Sequence, residues 1–197
     1  MTIDVGTGDG RAVLAAANRE PATLVLGIDA SAPAMAEASR RAARAARRGG
    51  LENAMFVVAA AEALPAELSG RASLVTVRFP WGSLLRGCLG LDDVVATGVA
   101  GLVAPAGILE LLLAPAERDG LRGVPTTEPE IIAATTNAFA PLGFAVLVAR
   151  AATAAEVAAS GSSWARRLGV AGRRHKAPAP DGTGVDRSPV LIRLARR

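Results

Sequence analysis

The residues of this sequence best suited to chemistry fall into two groups. The first begins at Asp4-Val5-Gly6-Thr7-Gly8-Asp9-Gly10, where an apolar opening runs straight into a glycine-rich turn. Glycines at Gly6, Gly8 and Gly10 let the backbone approach a bound group closely and adopt angles that other residues resist. Asp29 lies twenty residues beyond Asp9, at the end of Leu26-Gly27-Ile28-Asp29-Ala30. A carboxylate at a strand tip accepts hydrogen bonds from the vicinal hydroxyls of a ribose. Glu62 lies in Ala61-Glu62-Ala63-Leu64-Pro65, the turn after a third apolar run. Either acid alone could be a solvated surface group, but together with the glycine turn they point to a nucleoside ligand. The spacing is Gly-x-Gly-x-Gly, with Arg11 where a dinucleotide site wants its third glycine, so a dinucleotide fits poorly.

The second group is aromatic. The chain has four Phe, two Trp and no Tyr, and both tryptophans occur in polar or glycine-bearing stretches. Trp81 stands in Arg78-Phe79-Pro80-Trp81-Gly82-Ser83-Leu84-Leu85-Arg86-Gly87, and Trp164 in Ser160-Gly161-Ser162-Ser163-Trp164-Ala165-Arg166-Arg167-Leu168. Trp is ordinarily a packing residue, yet neither lies in a periodic apolar run. Two facing indoles can hold a purine taken out of its stack. The one histidine, His175, falls in a basic C-terminal stretch and reads as solvated, not catalytic. Cys88 is the single cysteine, so neither a disulfide framework nor a zinc cluster is available and no metal site is expected.

These residues need elements to position them. Short β-rich runs alternate with longer helical ones, the pattern of a parallel α/β sheet. The sequence predicts strands over 1–5, 24–28, 55–58, 74–77, 107–113, 144–149 and 189–194. It predicts helices over 10–19, 32–48, 92–103 and 128–139, and a shorter one over 154–159. Ser31 caps the second helix, Pro33 lies in its first turn and Gly49-Gly50 stops it. Seven strands in this order suit a mostly parallel, doubly wound sheet with helices on both faces and an antiparallel strand added by the last hairpin. All 197 residues fit a single domain. Residues 177–188, rich in Pro and Gly, read as a flexible connection.

The formal net charge is only +4, but all except one of the 22 basic residues are Arg, and they cluster. Arg40, Arg41, Arg44, Arg47 and Arg48 form a run with no acid inside it. From Trp164 onward nine basic residues, among them Arg166, Arg167, Arg173 and Arg174, face two acids. Such clusters are either solvated faces and a basic tail or the footprint of a polyanion, for which nucleic acid is the natural partner. No apolar run reaches the roughly 18 residues of a membrane span, and the opening residues have no secretory pattern. A cytoplasmic protein that does not engage membranes is expected.

The glycine turn with its flanking acids resembles motif I of the class I methyltransferases, a Rossmann-like fold in which this turn carries the amino and carboxypropyl groups of S-adenosyl-L-methionine. In that class, enzymes acting on exocyclic amino groups place Asn/Asp-Pro-Pro-aromatic after the fourth strand. Phe79-Pro80-Trp81-Gly82 has no carboxylate or amide before its proline, which suits a ring nitrogen as target. The two tryptophan-bearing stretches together resemble signatures of the 16S rRNA (adenine-1408-N1) methyltransferases, the aminoglycoside-resistance family. That resemblance runs from Asp4 to the final strand.

It implies that Trp81 and Trp164 sandwich a flipped adenine, backed by Pro80 and positioned by Ser162 and Ser163. It implies a cofactor site of Asp4, Gly6, Thr7, Gly8, Gly10, Asp29, Ala30, Ala61 and Glu62. It also implies that Arg86, Arg166, Arg167, Arg173 and Arg174 grip 16S rRNA in the 30S subunit, with the Arg40 to Arg48 run docking on the ribosomal surface. A monomer is the expected working form, with a target-recognition insertion over 150–188. Family members carry a segment before motif I that this sequence lacks, so a missing N-terminal part is expected. Two other readings stay open: a class I methyltransferase with a different RNA or small-molecule substrate, and an RNA-binding relative without catalysis.

Overall fold

The apolar runs become the strands of one sheet. The computed structural model describes residues 1–115, 123–163 and 188–197. Its strands are β1 (Thr2–Val5), β2 (Val25–Asp29), β3 (Ala54–Val58), β4 (Ala72–Arg78), β5 (Val103–Leu113), β6 (Phe144–Ala151) and β7 (Val190–Arg196), in the spatial order β3-β2-β1-β4-β5-β7-β6. β1 to β5 are parallel, while β7 runs antiparallel between β5 and β6. The chain winds outward from β1 to β3 and then returns to β4 on the other side of β1. That reversal opens a crevice at the carboxyl ends of β1 and β4, the place where open α/β sheets bind ligands.

The helices are α1 (Arg11–Arg19), α2 (Ala32–Ala42), α3 (Gly82–Cys88), α4 (Asp93–Leu102), α5 (Glu128–Phe139) and α6 (Ala154–Ala159). They cover both faces. Val25 of β2 packs with Val13 and Ala17 of α1 and Ala38 of α2. Leu26 and Ile28, which point the other way, join the larger cluster holding Leu85, Val95 and Ile131 of α3, α4 and α5. The caps are those that helix physics demands: Ser31 accepts from the Ala34 amide, Asp92 from the Val95 amide, and Thr127 and Thr153 form capping boxes with Glu130 and Glu156.

The structure differs from the sequence reading in two places. α2 stops at Ala42, not Arg48. The chain reverses so that the Leu51 amide donates to the Ala42 carbonyl, and residues Ala46–Arg48 form a separate 3₁₀ turn. The arginine run is therefore split between a helix end and a tight turn. The second difference is α3, which the proline, tryptophan and glycine of its leading segment disguised as loop.

Candidate active site

The crevice holds a cavity of about 310 Å³. One wall comes from the turn after β1. Gly6, Thr7 and Gly8 line it, with backbone angles in the left-handed region at Gly6 and Gly8. Asp29, at the tip of β2, accepts from the Gly8 amide at 2.8 Å and from the Ser31 amide at 2.9 Å, tying the glycine turn to the start of α2. Ala30, Ala61 and Glu62 complete this side, with Glu62 exposed at the mouth. Gly10 does not line the cavity. A Cβ there would stand 2.6 Å from both the Ala38 Cβ and the Phe56 ring, so this glycine lets α1 approach α2 and β3.

Asp4 forms the floor. Its Oδ1 accepts from the Thr76 hydroxyl at 2.5 Å and from Nη1 of Arg78 at 2.7 Å. Both partners sit on β4, so the carboxylate bridges the two strands that flank the crevice. Neither Thr76 nor Arg78 was singled out from sequence, although a Thr inside Leu74-Val75-Thr76-Val77 and an Arg closing that run were available signals.

The opposite wall is Phe79, Pro80, Trp81 and Ser83 from the β4–α3 segment, together with Gly161, Ser162 and Ser163 after α6. Phe79 has φ +50°, a left-handed angle that costs a bulky residue about 1–3 kcal/mol. Contacts within the described residues help to hold it there. Its amide donates to the Leu112 carbonyl at 2.7 Å, and its ring packs into a small core with Leu112, Leu191 and Val157 of α6. That core joins two segments some eighty residues apart, so the Trp81 loop and the Ser162-Ser163 segment share a cavity. Trp81 itself is 71% exposed at the rim and, among the described residues, packs into no hydrophobic core.

Trp164, Arg166, Arg167, Arg173, Arg174 and His175 lie outside the described residues, among which Trp81 is the one indole at the cavity. Arg86 is half-exposed, and its Nη2 donates to the Leu91 carbonyl at 3.1 Å across the α3–α4 loop. Arg40, Arg41, Arg44, Arg47 and Arg48 are all exposed. Glu37 pairs with Arg40 at 3.0 Å, and this contact holds its carboxyl below the usual range. The run leads into the amino end of β3. It begins in the last turn of α2, an 11-residue helix roughly 16 Å long that starts two residues after the cavity-lining Ala30. Cys88 is buried, and burial pushes its thiol up to about 12, leaving it inert.

A sheet of this order, with its penultimate strand antiparallel and a nucleoside-sized cavity at the switch point lined by a glycine turn and strand-tip acids, defines a class I methyltransferase. Comparison with known proteins narrows this further. The NpmA family model, 16S rRNA (adenine(1408)-N(1))-methyltransferase, matches residues 1–181, and the chain belongs to that family. It is 38% identical over 173 residues to the 16S rRNA (adenine(1408)-N(1))-methyltransferase of Streptoalloteichus hindustanus, covering 85% of this chain and 80% of that protein. The solved 16S rRNA methyltransferase KamB is similar in structure, with a TM-score of 0.81 at 29% identity, covering 99% of this chain and 86% of that one. A tryptophan-to-alanine mutant of the Catenulisporales acidiphilia enzyme, solved with its cosubstrate SAM, gives 0.80 at 32% identity, covering 99% and 84%.

Proposed function

We propose that this chain transfers a methyl group from S-adenosyl-L-methionine to N1 of adenine 1408 in 16S rRNA, acting as a monomer on the 30S subunit. The modification would block aminoglycoside binding at the decoding site. The observation that carries this reading is an exposed indole, Trp81, standing at the rim of a nucleoside-sized cavity with no carboxylate or amide before its Pro80.

The cavity residues suit the cofactor. A Cβ on Gly8 would meet nothing within 4 Å, so the turn leaves open space above its backbone. Thr7 Oγ1 is buried and has no hydrogen-bond partner among the described residues. Asp29 and Glu62 offer carboxylate acceptors for a ribose and for the adenine side of the site. When bound, adenosylmethionine supplies an electrophilic methyl on a sulfonium.

The chain's own task is mainly alignment. Adenine N1 has an in-plane lone pair and carries no proton at neutral pH, so no general base has to act. Holding that lone pair in line is worth effective molarities of roughly 10⁵ M or more. Trp81, with Trp164 from the far segment, would clasp the flipped base. Indole faces also favour the cationic ring that methylation produces, by about 0.5–2 kcal/mol each. Pro80 stiffens the loop carrying Trp81, and Ser162 and Ser163 border the same space. The Arg40 to Arg48 run and the arginines after Trp164 would read rRNA phosphates and shape.

The direct test is primer extension on 16S rRNA from 30S subunits incubated with the protein and adenosylmethionine. N1 methylation blocks pairing and should stop reverse transcriptase at adenine 1408. Label incorporation elsewhere, without that stop, would show a methyltransferase with another target.

A further inference from the structure

We propose that Arg78 is a cofactor-binding residue that receives the α-carboxylate of adenosylmethionine, reading the cofactor's zwitterionic end jointly with Asp4. This rests on the cofactor reading above. The cavity is lined by four acids, Asp4, Asp9, Asp29 and Glu62, and among the described lining residues Arg78 is the one cation. Among the described lining residues a ligand carboxylate has no other cation to pair with.

The hydrogen bonds around the pair leave matching valences open. Both bonds to Asp4, from Thr76 and from Arg78, land on Oδ1, and among the described residues Oδ2 has no partner. Arg78 uses Nη1 on Asp4, while its Nε and Nη2 donors have no partner among the described residues. Guanidinium presents five N–H donors in a rigid fork, so an edge remains available. The two side chains are only 20% and 6% exposed. An ion pair so enclosed gains little over apolar packing unless its remaining donors and acceptors are satisfied. One ammonium on Oδ2 and one carboxylate on the free guanidinium edge would satisfy both at once.

Arg78 also leads directly into Phe79, with its left-handed φ, and then Pro80 and Trp81. A carboxylate held by Arg78 therefore restrains the base of the loop that carries the indole, so cofactor occupancy steadies the substrate wall.

The test is calorimetric and needs no turnover. S-adenosylhomocysteine, its decarboxylated analogue (nucleoside and ammonium kept) and 5′-methylthioadenosine (neither charge kept) are titrated into the full chain. The unsubstituted protein should prefer S-adenosylhomocysteine to the decarboxylated analogue by on the order of 10- to 100-fold, the span of a hydrogen bond to a charged group. In Arg78→Met that preference should collapse to within about 3-fold, while 5′-methylthioadenosine binds as before and reports an intact pocket. Arg78→Gln, which keeps an N–H for Asp4, is made alongside in case the Met variant unfolds, and should show the same collapse. The assignment is overturned if the unsubstituted chain does not discriminate, if the preference survives in either folded variant, or if all three ligands weaken together in both. Failure of the unsubstituted chain to bind any of the three overturns the cofactor reading itself, and this assignment with it.

Discussion

The two walls of the cavity are built in different ways. The β1–β2–β3 wall comes from turns that directly follow their strands. The glycine loop starts one residue after β1, Asp29 ends β2 and Glu62 lies four residues beyond β3, and a 2.8 Å bond from the Gly8 amide to Asp29 locks the arrangement. The other wall joins the β4–α3 segment to the residues after α6 through the Phe79–Val157 core. It depends on a strained Phe79 and presents an exposed Trp81. A wall assembled locally is rigid and suits a constant ligand; one assembled across the chain can admit a macromolecule. Substitutions should therefore separate cofactor binding from methyl transfer according to the wall they touch.

The largest expected effect is Trp81→Ala. It removes an exposed side chain that packs in no core among the described residues, so thermal stability should change by no more than about 0.5 kcal/mol. S-adenosylhomocysteine affinity by calorimetry should stay within about 3-fold, while methylation of 30S subunits falls by roughly 100-fold or more through lost base positioning. Comparable losses in cofactor affinity and in transfer would erase the distinction between the walls.

Next comes a paired glycine substitution on the first wall. Both Gly6 and Gly8 have positive φ, so alanine at either costs about 1–2 kcal/mol of backbone strain. At Gly6 the new Cβ would also stand 2.6 Å from Leu84 Cδ2, so that buried side chain has to shift. At Gly8 it meets no atom of the described residues within 4 Å and faces open space at the cavity wall. Gly6→Ala should therefore lower the melting temperature more, and Gly8→Ala should lower cofactor affinity more, by on the order of 10-fold. If the two variants move both readouts in parallel, the turn acts as one structural unit.

The same contrast explains what could be read from the sequence. All seven strands, the antiparallel final hairpin and the cavity positions Gly6, Gly8, Asp29 and Glu62 are legible, because local spacing generates them. Gly10 follows the same spacing but answers to Ala38 and Phe56, neighbours that only the folded chain brings close. α2 was read too long because Ala and Arg favour helix up to Arg48, whereas the tertiary reversal at Ala42 prevails. Arg78, Thr76 and the Phe79–Val157 link were missed for a related reason: each matters through a partner on another strand or helix.

A smaller effect should come from the arginine run at the far end of α2. Arg47→Ala with Arg48→Ala removes two exposed cations remote from the cavity. If both meet phosphates, the slope of log affinity for 30S against log salt should flatten by about 2, with cofactor affinity unchanged. An unaltered slope would mark these residues as a solvated face.

The smallest effect concerns what secures the second wall. α6 precedes Gly161, Ser162 and Ser163, and its start is held by Glu156, which takes Nη1 and Nη2 of Arg150 at 2.9 and 2.7 Å and the Thr153 amide at 2.8 Å. The Arg150 hydrogen bond, then those from Thr153, hold the Glu156 carboxyl down at about 2, against an ordinary 4.5. Because the folded value is the lower one, the stabilisation is complete above about 4.5 and is lost as pH falls toward 2. The pair is largely open to solvent, so the whole effect is modest. Glu156→Gln should accordingly melt below the unsubstituted protein at pH 6, with the gap narrowing steadily at lower pH, and hydrogen exchange should place the difference in α6. A gap that stays constant across that range would show that Glu156 acts as a neutral cap, and that the second wall does not rely on charge to keep its serines in place.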